Sequence, residues 1–299
     1  MASQLITSWN ARNPQKTGLI AAAFDQRNHG SRLVDPLHNE AWRQGNPRHA
    51  QDMFGVYHGT AADCSLLIEL LEGYVFPTPS SPPRNISKHF VLGISLGGHA
   101  VWHVLLSDPR VTAGVCVIGC PDYARLMADR ARLSKREAYT RSEPPGKTFL
   151  GSEDFPPALV DAVGRYDPAG LLLPGVFNPV GEDVRPSEAA LGHLKATASA
   201  RLGGKRILNL SGGDDKLVPY KAGEAFLKVF KEVVVSDPVL DIEFEDVVFE
   251  GVGHAYSPAM ADKATGWLCG ILEGMEESCS SSGGGSGGGS GEGRRGSKM

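Results

Sequence analysis

Ser95 lies in the run GISLGGH, with Gly93 two residues before it and Gly97 two residues after it. A serine on a sharp turn between glycines projects its hydroxyl clear of the backbone, and the missing side chains leave room for the elements that cross there. Such a hydroxyl attacks a carbonyl carbon only when a histidine takes its proton and a carboxylate orients that histidine. Two later runs carry those residue types: GGDDKLVP with adjacent Asp214 and Asp215, and GVGHAYSP with His254. Serine, then aspartate, then histidine is the inventory of an acyl transfer. Taken alone, the glycine-flanked serine also fits a plain strand-to-helix turn, so the surrounding elements decide its meaning.

An apolar run at 90–92 precedes Ser95, and apolar residues at Val101, Leu105 and Leu106 follow it at helical spacing. That reads strand, turn, helix, the setting this motif requires. Strand-like runs at 19–24, 89–94, 111–118, 206–210 and 246–250 alternate with helical patterns at 61–71, 98–106, 222–230 and 258–272. The alternation predicts an α/β protein with a mostly parallel sheet and helices on both faces. Asp214, Asp215 and His254 then fall just after the last two strands, at the edge where open parallel sheets bind ligands. Ser257 and Pro258 mark the start of the last helix.

Two segments break the pattern. Residues 120–205 separate the third and fourth strands by far more than one crossover helix, which predicts a helical lid insertion. Its first helix is expected over 123–141, where Arg125, Arg130, Arg132, Lys135, Arg136 and Arg141 read as a solvated face. From 276 the chain is dominated by Gly and Ser, a composition that cannot bury enough apolar surface to order itself. The expected division is a core of 1–119 and 206–275, a lid of 120–205 and a disordered tail of 276–299.

Bulk properties narrow the function classes. A net charge of -4 gives no basis for nucleic-acid binding, and no apolar run reaches the ~18 residues of a membrane span. The five cysteines are odd in number and lack C-x-x-C spacing, so Cys116 and Cys120 read as reduced core or loop thiols and the location as cytoplasmic. His49, Asp52 and His58 match no metal spacing and are expected in the helix or loop leading to 61–71. His99, one helical turn after Ser95, reads as a packing or surface residue.

With four motifs in order, FDQRNHGSR, GISLGGHA, GGDDKLVP and GVGHAYSP, the chain resembles the α/β-hydrolase fold serine hydrolases over residues 18–275. Among their branches it most resembles the prolyl-oligopeptidase-like and dienelactone-hydrolase-like esterases. The resemblance implies Ser95 as nucleophile and His254 as base. It also implies Asp215 as the acid, because Gly212, Asp215 and Pro219 reproduce the family's spacing; Asp214 is the alternative, with a turn-capping role otherwise. It implies a carboxylic ester, thioester or lactone as a small-molecule substrate, with no cofactor and no metal. His29 is implied to support a loop. The oligomeric state stays open.

An oxyanion hole needs two N–H donors, and the family places one at the backbone of the residue after the nucleophile, here Leu96. The second donor comes from a loop that this chain does not show. If 19–24 is the family's fourth strand, the three N-terminal strands before it are missing, the sheet has an open edge, and association with other chains is expected. A second reading of function follows: a non-catalytic or truncated homologue acting as a binding protein.

Overall fold

The computed structural model describes residues 2–12, 18–176 and 185–282, with side chains described as far as 275. Residues 1–22 with 261–299 form one compact unit and 23–260 a second. In the smaller unit, helix α1 (Ala2–Arg12) buries Trp9, Gln4 donates to Asp262 at 3.2 Å, and Arg12 pairs with Glu273 at 3.6 Å.

The larger unit carries four strands, β1 (His89–Ile94), β2 (Val111–Val117), β3 (Arg206–Gly212) and β4 (Glu243–Phe249). They are all parallel and lie in the order β1-β2-β3-β4. Parallel neighbours require crossover helices, which cover the sheet and make its inner strands apolar on both faces. The central β2, VTAGVCV, is buried at nearly every position, whereas the edge strand β1 is only half-buried.

Helix α3 (Leu96–Ser107) is apolar all round, buries every side chain from Val101 to Leu106, and packs on β1 and β2. Helix α2 (His49–Val75) lies along α3, and α9 (Tyr220–Ser236) lies against β4. Phe226 and Phe230, one turn apart on α9, stack at 5.6 Å and meet Trp102 edge-on at 6.2 and 6.3 Å. Removing each such ring from water contributes about 1.5–3 kcal/mol. This cluster holds the sheet and the loops at its carboxyl edge as one body.

Residues 19–24, expected as a strand, form none. Their apolar side chains have no strand beside them to share a ladder, and Ile20 and Phe24 stand exposed. The helix expected over 123–141 is two helices, α4 (Tyr123–Leu133) and α5 (Glu137–Thr140), parted where Lys135 adopts a positive φ of 52°. A left-handed residue cannot continue a right-handed helix.

The rest of 120–205 supplies α6 (Pro157–Tyr166), α7 (Pro168–Leu172) and α8 (Glu188–Leu202). Leu194, Ala198 and Leu202 of α8 join the core beneath the sheet. A second cluster joins Tyr123, Leu126, Phe149, Phe155 and Leu159 to Trp42, Phe54 and Tyr57 near α2. Ala169 and Leu172 of α7 belong to the same core as α8, so both α7 and α8 pack with the sheet. The last helix, α10, runs Pro258–Ser282, past the expected boundary at 276; residues 283–299 of the Gly/Ser segment lie outside the described residues.

Candidate active site

Ser95 joins the end of β1 to the start of α3 with φ 57° and ψ -114°, a conformation that L-residues avoid. Its N–H donates to the Val117 carbonyl at 2.9 Å, and its own carbonyl accepts the first helical bond, from His99 N at 3.1 Å. The turn is sterically dense. A Cβ at Gly93 would run into the backbone carbonyl of Gly97, and one at Gly98 would lie 2.5 Å from the Val117 oxygen. Gly93→Ala is expected to lower stability by about 3 kcal/mol. Chemical denaturation of the two proteins measures this, and an unchanged midpoint would contradict so tight a turn.

The structure brings Ser95, His254 and Asp215 together. Ser95 Oγ lies 2.9 Å from His254 Nε2, and His254 Nδ1 lies 2.8 Å from Asp215 Oδ2. A carboxylate can only accept, so Nδ1 carries the proton and donates it to Asp215, which leaves the Nε2 lone pair to accept from the serine hydroxyl. His254 sits in the loop after β4, and Asp215 in the loop after β3. Backbone bonds from Gly213 N to Phe249 O (2.9 Å) and from Asp214 N to Val252 O (3.0 Å) tie these loops together.

Asp215 is only 4% exposed, and its other oxygen accepts from the backbone N–H groups of Leu217 and Val218, each at 2.9 Å. Burial pushes this carboxyl up, but the bonds from His254, Val218 and Leu217 outweigh it and hold the pKa below the ordinary value. Asp214, the adjacent alternative, contributes its backbone to the brace and leaves its side chain in solvent.

Leu96 opens α3. Because the first helical bond is donated by His99, the N–H groups of Leu96, Gly97 and Gly98 have no intrahelical acceptor, and the helix dipole favours negative charge at this end. His29 is held within its own turn, its N–H donating to Gln26 O at 3.1 Å. His29 Nδ1 lies 2.9 Å from Arg27 O, and Gly30 takes a left-handed turn over the Asp25 carboxylate.

The other histidines are engaged elsewhere. His99 is buried, with Nδ1 2.9 Å from Ser95 O and Nε2 accepting from Cys120 N at 3.3 Å; burial lowers its pKa to about 4, so it is neutral and steadies the elbow. His49 contacts Glu40 O at 3.0 Å and Arg130 at 3.0 Å, His58 contacts His103 at 3.0 Å, and Asp52 accepts from Asn46 at 3.1 Å. Cys116 and Cys120 are buried free thiols, raised in pKa by burial.

Arg130, expected on a solvated face, turns inward and donates to Leu217 O at 3.0 Å, bracing the Asp215 loop. Helical spacing carries the signal: Arg130 falls four residues after Leu126 and three after Met127 on the buried stripe of α4, whereas Arg132 falls off it and pairs with Asp129 on its own helix at 2.6 Å.

A model of the alpha/beta hydrolase family matches residues 7–265, and the chain belongs to that family. No curated protein matches the chain. Among solved structures it is similar to TT1662 from Thermus thermophilus, at 19% identity and TM-score 0.47 over 89% of this chain and 80% of that one. It is also similar to a variant of Arabidopsis thaliana SOBER1, at 15% identity and TM-score 0.37 over 73% of this chain and 65% of that one. Esterase PE8 is similar at 12% identity and TM-score 0.37 over 73% of this chain. The chain spans 65% of the length of the SOBER1 structure and 63% of that of PE8. Among the described residues no helix is long and apolar enough to cross a membrane.

Proposed function

We propose that the protein is a serine hydrolase of carboxylic esters, thioesters or lactones included, with Ser95 as nucleophile, His254 as general base and acid, and Asp215 as the group that orients the histidine. The observation that carries this reading is the unbroken chain of hydrogen bonds, 2.9 Å from Ser95 to His254 and 2.8 Å from His254 to Asp215. In the first half-reaction Ser95 Oγ bonds to the carbonyl carbon as its proton passes to His254 Nε2, and the carbonyl electron pair moves onto oxygen beside the Leu96 N–H. Return of that pair expels the alcohol, which leaves with the proton from His254. Water, deprotonated by the same nitrogen, then releases the acid and restores Ser95. Every proton in the cycle is held by His254, and no cofactor enters the balance.

A fluorophosphonate tests the nucleophile directly. It is expected to modify Ser95 stoichiometrically, as read by peptide mass spectrometry, and to abolish hydrolysis of p-nitrophenyl esters in proportion. Folded protein that carries the adduct elsewhere, or none, would overturn the assignment.

A further inference from the structure

The turn at residues 25–32 is held to α2 by a dense set of polar contacts. Arg27 forks onto Asp63 at 3.1 and 2.9 Å, and Arg32 reaches the same carboxylate at 2.9 Å and Asp25 O at 3.1 Å. The Asp25 carboxylate accepts from Ser31 N and Ser31 Oγ, each at 2.8 Å. Asn28 donates to Asp35 O at 2.7 Å and Asn39 Oδ1 at 2.8 Å, and it accepts from Val34 N and Asp35 N. His29 contacts Arg27 O.

Gln26 is different. Its Oε1 is buried and has no hydrogen-bond partner among the described residues, and no bond is made by its amide nitrogen to any of them. Its backbone carbonyl takes part in the turn, accepting from His29 N at 3.1 Å. Leaving a buried amide oxygen without a donor costs about 1–3 kcal/mol, so an idle Gln26 works against the stability of a turn otherwise fully bonded.

The place it occupies is the nucleophile turn. Gln26 Nε2 lies 3.4 Å from where a Cβ of Gly97 would stand, two residues beyond Ser95 and in the first turn of α3. This is the helix end at which the Leu96 N–H has no intrahelical acceptor. The terminal amide torsion is soft, and with neither end bonded the –NH2 group is free to face a ligand. A primary amide fixed by a rigid backbone beside a backbone N–H is a donor pair of the kind that stabilises a developing oxyanion.

We infer that Gln26 is a catalytic residue of this chain, whose side-chain amide supplies the second hydrogen-bond donor to the oxyanion formed when Ser95 attacks a carbonyl. The role rests on the serine-hydrolase reading above. It accounts for why the turn is anchored on both sides of Gln26 and not through it: the contacts fix the backbone and leave the amide available. His29 is committed within the turn, through its N–H to Gln26 O and its Nδ1 at Arg27 O.

The test compares wild type with Gln26→Leu and Gln26→Glu. The first removes the amide at similar length, and the second keeps the shape while replacing the –NH2 donor with an acceptor. Both are expected to lower kcat for p-nitrophenyl esters by ~10²-fold with KM changed by no more than about threefold, because the oxyanion exists only in the transition state. A boronic acid, which becomes tetrahedral on Ser95, is expected to bind either variant more weakly by a similar factor. Gln26→Leu is expected to melt no earlier than wild type, since it removes a buried unpaired oxygen, and the pH dependence of kcat is expected to match wild type. If Gln26→Leu melts early, Gln26→Glu carries the result.

A kcat within threefold of wild type in a folded variant would overturn the proposal. So would a loss confined to KM. Failure of the underlying reading looks different: wild type itself would then show no fluorophosphonate adduct at Ser95 and no ester turnover.

Discussion

His254→Ala and Ser95→Ala are each expected to reduce ester turnover by ~10⁶-fold, and the double variant to lose little more than either single one. The serine without its base is a weak nucleophile, and the base without the serine has no proton to move, so the second substitution removes something already idle. The carboxylate is expected to separate the two aspartates. Asp215→Asn leaves the histidine in the wrong tautomer, because an amide can donate to Nδ1 and draw the imidazole proton onto Nε2; the expected loss is ~10⁴-fold. Asp214→Asn alters an exposed side chain and keeps the backbone N–H that bonds to Val252 O, so turnover is expected within about threefold of wild type. Steady-state kinetics on purified, folded variants measures all four. Equal damage from both aspartate changes would detach Asp215 from its role.

The second large effect is a loss of stability in mild acid. Burial lowers the pKa of His49 to about 4, with the Arg130 guanidinium adding to it, and burial likewise lowers His99 to about 4. Burial, with His58 and His99 nearby, takes His103 well below its ordinary value. In the unfolded chain these side chains titrate near 6.5. Between pH 6.5 and 4 the unfolded state therefore binds protons at His49 and His99 that the folded state refuses, with His103 acting in the same direction, and stability falls as pH falls.

One group acts the other way. Burial, with Asp122 beside it, raises the Asp167 carboxyl well above its ordinary value, so the folded state holds a proton there that the unfolded state has released. His49 and His99 alone outweigh it by about one proton near pH 5, or ~1.4 kcal/mol lost per pH unit, and His103 acts in the same direction. Denaturant midpoints are expected to fall with at least that slope between pH 6 and 5, and less steeply from pH 7.5 to 6, where the unfolded imidazoles are only beginning to bind protons. His103→Leu is expected to reduce the slope, by at most ~1.4 kcal/mol per pH unit, one proton's worth. A midpoint independent of pH over this range would mean that these imidazoles are not held neutral.

Legibility differed from residue to residue for physical reasons. The turn around Ser95 could be read because its demands are local: a residue at φ 57° between a strand and a helix needs bare backbone at Gly93 and Gly98, and those requirements are written within six positions. The positions of β1 to β4 could be read from apolar runs of the kind a doubly covered sheet needs, whereas their order and register are visible only in the folded chain. Residues 19–24 carry a similar run, yet a strand exists only through its neighbour's hydrogen bonds, and composition cannot supply the neighbour. The break at Lys135 likewise left no mark, since lysine is a good helix former and the left-handed turn is closed by backbone bonds, from Lys135 N to Arg132 O and from Arg136 N to Ala131 O.

The amino-acid sequence by itself determined the family, the order of the three reactive residue types and the strand ends on which they sit, because each depends on short-range chemistry: glycines at a crowded turn, apolar periodicity, and a cap before a helix. Only the tertiary structure decided which of two neighbouring aspartates faces His254, that Arg130 reaches the Asp215 loop, and that the amide of Gln26 lies against the turn bearing Ser95. Those outcomes rest on the direction of single side chains across contacts 39 to 87 residues apart in the chain, and direction at that range is set by the packing of whole elements against one another.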